Sequence, residues 1–270
     1  MNDRIRVSVA DHVAEVRLVR SDKMNALDGA MFDSLLAAGT QLRARADVRA
    51  IVLSGEGRAF CAGLDLSQFE AMAQRGADLS FIERKHGFAN MAQQVVLQWR
   101  QMPVPVIAAI HGVAFGGGLQ LALGADIRVV HPAARLSIME VRWGLVPDMG
   151  GILLLRDLIR PDVAADLIYS GRQFDGQEAL ALGLATRVSE DPGSAAVDLA
   201  KSIAGNSPDA IRAAKRLLLI DDPALTQRIL SAEADEQRAL VSRPNQIEAV
   251  RAAQEGRVAQ FVDPAAGDFA

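Results

Sequence analysis

The run Val104–Leu121 (VPVIAAIHGVAFGGGLQL) carries the densest chemical signal in the chain. An apolar strand runs into three consecutive glycines, Gly116, Gly117 and Gly118, which open a helix. Glycine leaves the backbone bare, so its N–H groups can approach a ligand atom closely. At a helix start those groups lack intrahelical acceptors, and the helix dipole adds positive potential. Such a device suits a phosphate or a developing oxyanion and does not choose between them. Downstream, Arg135–Gly151 (RLSIMEVRWGLVPDMGG) supplies two acids, Glu140 and Asp148. Two residues past the last glycine stands Gln120, which can hold a water or a carbonyl but cannot exchange a proton near neutral pH.

The elements around these residues must bring them together. Val48–Leu66 reads as a buried strand followed by a glycine-containing turn, Cys61-Ala62-Gly63-Leu64-Asp65. Near the start lies Lys23-Met24-Asn25-Ala26-Leu27. Arg4–Val9 and Val13–Val19 alternate apolar and polar residues around Asp11-His12, which predicts a β-hairpin with one wet face. Asp28–Ala46 is expected to be a helix capped by Asp28, with Phe32, Leu35, Leu36 and Leu42 facing inward. Short strands are expected at Val104–Ile110 and Ile127–Val130. Phe81, Phe88, Met91, Val95, Trp99 and Met102 recur at helical spacing and predict one long amphipathic helix. Before it, Ser67–Ser80 is a candidate lid or a plain surface helix. From Pro192 the pattern is helical, punctuated at Ser207-Pro208 and Asp221-Asp222-Pro223.

Bulk properties narrow the partners. Half the residues are apolar and the net charge is −4, with no lysine-rich run, so nucleic acid and anionic membrane are not expected. No apolar run approaches the roughly 18 residues of a membrane span. One cysteine leaves no intrachain disulfide and no zinc cluster. A cytoplasmic protein without metal or separate cofactor is expected.

In order and spacing, the four segments resemble the crotonase (enoyl-CoA hydratase/isomerase) superfamily from about Arg6 to about Phe261. The resemblance implies an α/β spiral of ββα units over residues 1–191. It further implies a C-terminal α-helical trimerisation region over 192–270, forming a homotrimer or a dimer of trimers. The substrate would be an acyl-CoA thioester whose enolate oxygen is held by the N–H groups of Leu64 and Gly117. Coenzyme A would meet Ala62, Leu64, Asp65 and Leu66 at its adenine and Lys23 and Ala26 near its phosphates and pantetheine. Gly112, Gly116 and Gly117 would line the substrate, and Lys23 serves equally well as a solvated turn residue.

Hydratases of the family carry two glutamates, matching the positions of Gln120 and Glu140. With Gln120 in the first, a double-bond shift through Glu140 is expected, and water addition to a 2-enoyl-CoA is the alternative. Glu140 could instead be an acid paired with Arg142 or Arg128. Asp148 matches an acid of the dienoyl-CoA isomerases, and it could equally cap a helix starting near Met149. Cys61 reads as a small buried thiol, His111 as a satisfied core histidine, and Trp143 as lining the acyl pocket or packing beneath it. Two other classes lack their signals. A serine peptidase on a related fold would need a serine where Leu119 and Gln120 stand, and an RNA-binding relative would need a basic helix in place of Asp28–Ala46.

Overall fold

The computed structural model describes residues 4–65, 67 and 83–263. Strands β1 (Ile5–Ala10) and β2 (Val13–Leu18) pair antiparallel, with every second residue of β1 turned to solvent. Asp11 and His12 join them at φ 48° and 65°, the backbone that a two-residue hairpin turn requires. Beyond β2 the sheet is parallel, in the order β1-β2-β3-β4-β6-β8, with β3 (Ala50–Gly55), β4 (Val106–Ile110), β6 (Ile127–Val130) and β8 (Arg187–Val188). A separate parallel pair joins β5 (Val113–Phe115) to β7 (Arg135–Ser137).

Ten α-helices lie among the described residues: α1 (Gly29–Arg43), α2 (Met91–Arg100), α3 (Gly117–Leu123), α4 (Gly151–Leu158), α5 (Pro161–Ser170), α6 (Gly176–Leu182), α7 (Pro192–Ala204), α8 (Pro208–Leu218), α9 (Pro223–Leu240) and α10 (Pro244–Glu255). Parallel strands are covered on both faces, so they read as unbroken apolar runs, and all of β4 is buried. Val16, Leu18, Ile51, Leu53 and Val106 share one core with Phe32, Leu35 and Leu42 of α1 and Trp99 of α2. Val13, Ala50, Val52, Ile107, Ala109 and Val129 face the other way, onto Ala196, Ala200 and Ala204 of α7. Alanines one helical turn apart let α7 lie close on the sheet. Helix α8 is pinned by Lys215, whose ammonium donates to Asp126 at 2.7 Å and to the Val104 carbonyl at 2.8 Å.

Asp28 caps α1 as expected, accepting from the Met31 amide at 2.8 Å. The amphipathic stretch after residue 80 differs from its expectation. Asn90 and Gln93 form a capping box that starts α2 at Met91, so Phe88 lies outside the helix and is exposed. Helical spacing ran on past the true start because it carries no information about where a cap interrupts it. Phe81, Leu66 and all of the candidate lid except Ser67 lie outside the described residues.

Candidate active site

Three segments meet at the glycine turn. β5 and β7 run in register through Phe115 and Ser137, and the Gly116 amide donates to the Ser137 carbonyl at 2.9 Å. The chain leaving β7 forms a 3-10 turn, Glu140–Trp143, beside the glycines. A Cβ built on Gly116 would lie 3.3 Å from Glu140 Oε1. On the other side, Cys61 joins β5 through Cys61 N to Val113 O (3.0 Å) and Phe115 N to Cys61 O (3.1 Å). A Cβ on Gly118 would fall 2.3 Å from the Cys61 carbonyl oxygen, which only glycine avoids. Gly63, at φ 89°, is nested almost as tightly and also needs the left-handed backbone. Its Cβ would stand 2.5 Å from the Phe115 oxygen and 3.6 Å from the Gly117 amide nitrogen. Leu64 and Gly117, far apart in sequence, are therefore carried by backbone in direct contact.

The third segment closes the block. Leu27 N donates to Gly63 O (2.7 Å), Asp65 N to Leu27 O (2.9 Å) and Ala62 N to Met24 O (2.9 Å). Lys23 and Ala26 thus flank Ala62, Leu64 and Asp65, with Lys23 exposed and Ala26 buried. Asn25, in the Lys23–Leu27 segment, is the staple of this block. It is fully buried at φ 57°, accepts from Arg20 N, and donates to the Glu56 and Ala59 carbonyls. Asparagine tolerates the left-handed backbone better than most residues, which is the signal that could have singled it out. Cys61 is inert as expected: burial pushes its thiol up to about 12, and it donates to Asn25 O.

The acids form a second layer around Gln120, which is buried. Gln120 Oε1 accepts from Met149 N at 3.0 Å and Gly151 N at 3.1 Å. Two backbone donors fix the oxygen on that side, so Nε2 points the other way and donates to Glu140 Oε1 at 2.6 Å. Glu140 Oε2 is buried and has no hydrogen-bond partner among the described residues. Burial pushes this carboxyl up to about 7, against the hydrogen bonds that pull it down. Neither suggested arginine pairs with it. Arg128 donates to the carbonyls of Leu184 and Ala125, and Arg142 is exposed.

Asp148 is not a helix cap. Helix α4 starts at Gly151 after Gly150, with no capping side chain at that position. Its first amides are taken by Gln120 and by Glu233 of α9, which accepts from Gly150 N (2.9 Å), Ile152 N (3.0 Å) and Gln93 Nε2 (3.1 Å). Asp148 keeps only its own amide, and burial followed by the charges of Glu233 and Glu140 raises it to about 8. Glu233 went unnoticed in the sequence. The available signal was an acid on the face of α9 that Leu230, Ala234 and Gln237 bury.

Other positions separate from this cluster. Gly112 is a packing glycine: a Cβ there would meet the Arg58 carbonyl oxygen at 1.9 Å. The Asp65 side chain is held by Arg20 at 2.6 Å. His111 is satisfied by Gly57 O at 2.8 Å but is partly exposed rather than in the core, because it sits just past the end of β4. A cleft of about 780 Å³ between the sheet and α7 is lined by Arg17, Ser54, His131 and Lys201 among others. None of the expected site residues borders it, so this cleft and the acid cluster are different places. No described helix is long and apolar enough to cross a membrane.

A mostly parallel sheet, a glycine turn built from distant segments and a carboxylate beside it with one buried oxygen left without a partner among the described residues define an α/β enzyme of acid–base type. The crystal structure of an enoyl-CoA hydratase/isomerase from Mycobacterium paratuberculosis superposes with a TM-score of 0.84 at 27% identity, over 93% of this chain and 98% of that one. The enoyl-CoA hydratase/isomerase family model matches residues 8–264. The chain belongs to the enoyl-CoA hydratase/isomerase family, and its fold is the crotonase fold. Among its relatives, mouse mitochondrial Delta(3,5)-Delta(2,4)-dienoyl-CoA isomerase is 32% identical over 257 residues, 93% of this chain and 79% of the relative. Bovine mitochondrial enoyl-CoA hydratase domain-containing protein 2 is 35% identical over 210 residues, 75% of this chain and 68% of the relative.

Proposed function

We propose that this enzyme shifts a double bond in an enoyl-CoA thioester, with Glu140 as the proton carrier. One observation carries the reading: Gln120 spends its oxygen on two backbone amides and donates to Glu140, leaving Glu140 Oε2 as the free base at the glycine turn. A hydratase of the two-acid kind needs a second group there that can exchange a proton, and a carboxamide does not.

The step balances without added reagents. The thioester oxygen of a 3-enoyl substrate accepts from Leu64 N and Gly117 N. Glu140 Oε2 removes a proton from C2, and the C–H electron pair becomes a dienolate whose charge rests on that oxygen. A proton returned at C4 gives the 2-enoyl thioester. Each amide aimed at the oxyanion contributes about 3 kcal/mol in comparable enzymes. Coenzyme A would run along the block made by Lys23, Ala26, Ala62, Leu64 and Asp65. The exposed Leu217, Leu218 and Ile220 at the end of α8 suit burial between copies in a trimer or a dimer of trimers.

The test is a substrate panel of 2-enoyl, 3-enoyl and 3,5-dienoyl thioesters, followed by product analysis. Migration of the double bond should exceed water addition by at least about tenfold. Equal or faster formation of the 3-hydroxyacyl thioester would contradict the reading.

Asp148 favours a second reading, a dienoyl isomerase in which it is the second proton carrier, because it is half-buried, caps no helix and interacts with the charge of Glu140. The two readings differ in pH dependence. Glu140 works only when ionised, so turnover should rise as pH passes about 7. If Asp148 donates the second proton, turnover should fall again as pH passes about 8, where it ionises. A pH–rate profile that rises to a plateau assigns both transfers to Glu140, and a bell assigns the second to Asp148.

A further inference from the structure

We propose that Glu233, contributed by α9 in the C-terminal helical run, is a positioning residue that holds the Asp148 turn beside Glu140 and keeps Asp148 a proton donor. The inference rests on the two-carrier reading of the site.

The geometry is an interleaved clamp. Four consecutive amides lead into α4. Gln120 of α3 takes those of Met149 and Gly151, and Glu233 takes those of Gly150 and Ile152. The four amides are thus divided alternately between the two side chains, and each side chain accepts two of them. Glu233 is 4% exposed and its third donor, Gln93 of α2, also donates to the Leu230 carbonyl, which locks α9 to α2. A helix start that might have drawn the Asp148 carboxylate as its cap is therefore already filled. Asp148 is left facing two acids, Glu233 and Glu140, and these are the charges that act on it. Burial raises Glu233 to about 7, against Gln93 and the amides of Gly150, Ile152 and Leu153, four donors that favour its ionised form, so it is an anion above that pH. An anion held next to an acid whose one donor is its own amide favours the proton on that acid, as a donor requires. The chemistry of the sheet domain would then depend on how α9 is seated.

The experiment compares the intact protein with Glu233→Gln and Glu233→Asp. Carboxyl NMR on chains with 13C-labelled aspartate, assigned with Asp148→Asn, follows the Asp148 titration without turnover. The pH–rate profile is measured in parallel. Glu233→Gln should lower the Asp148 midpoint by about one pH unit and move the alkaline limb of kcat with it, leaving KM within about twofold. Glu233→Asp should keep the midpoint high. A merely structural role predicts lower kcat at every pH with no movement of either midpoint, and that result overturns the proposal. If Glu233→Gln does not fold, the wild-type titration decides: Asp148 should titrate in two steps, one tracking Glu233, and a single step overturns it. Failure of the isomerase reading would appear in the product analysis alone and leave the NMR arm intact.

Discussion

Glu140→Gln should turn over an enoyl-CoA thioester about a thousandfold more slowly while binding it with unchanged affinity. The variant keeps the shape of the site. A glutamine oxygen can still accept from Gln120 Nε2, and its amide takes the place of the free Oε2. Only the capacity to take a proton is lost. Stability should move the opposite way. Burial raises the folded carboxyl from 4.5 to about 7, so folding is favoured below pH 4.5 and that advantage is lost as pH rises through 7. A residue that does not ionise escapes the penalty. At pH 8 the variant should therefore be more stable than the wild type, by up to about 3 kcal/mol. Steady-state kinetics, calorimetric binding of the CoA ester and urea unfolding at pH 5 and pH 8 check the three parts. Undiminished turnover in this variant would remove Glu140 from the mechanism.

Gly63→Ala should have the second largest effect, through the oxyanion amides. The residue sits at φ 89°, and its new Cβ would come within 2.5 Å of the Phe115 carbonyl oxygen, which is backbone and cannot swing away. Either Leu64 or the Phe115–Gly117 turn must shift, and the two amides lose their alignment. Loss of one oxyanion donor lowers kcat about a hundredfold or more. Strain of this backbone type adds a stability loss of about 2 kcal/mol. Gly29→Ala is the control, since a Cβ there meets nothing within 4 Å. It should leave kcat unchanged. A Gly63→Ala chain that is destabilised yet fully active would show that the nested turns serve packing alone.

Much of this was legible in the residues, for identifiable physical reasons. Periodicity gave the hairpin and the apolar strands, because burial on one or two faces writes itself directly into residue type. Asp28 announced the start of α1, since an N-cap is local chemistry. Local chemistry at Asn90 was missed, and α2 was consequently drawn too long. Whether Asp148 caps α4 could not be read locally at all. The capping groups come from Gln120 and Glu233, and their approach depends on tertiary packing that no neighbouring residue encodes. The same holds for Gly112, whose reason for being glycine is the distant Arg58 backbone. The acids at 140 and 148 were findable; the partners that set their protonation were not.

The central claim is that the amides of Leu64 and Gly117 hold a thioester oxygen against the Glu140 carboxylate. The direct measurement is the carbonyl stretch of a 13C=O enoyl-CoA bound to Glu140→Gln, where no turnover consumes it. Bound between two amides, the carbonyl should be polarised and its stretch should fall well below the value in water, with the fall much reduced when Gly63→Ala is added. A bound ester that keeps its solution frequency would contradict the account.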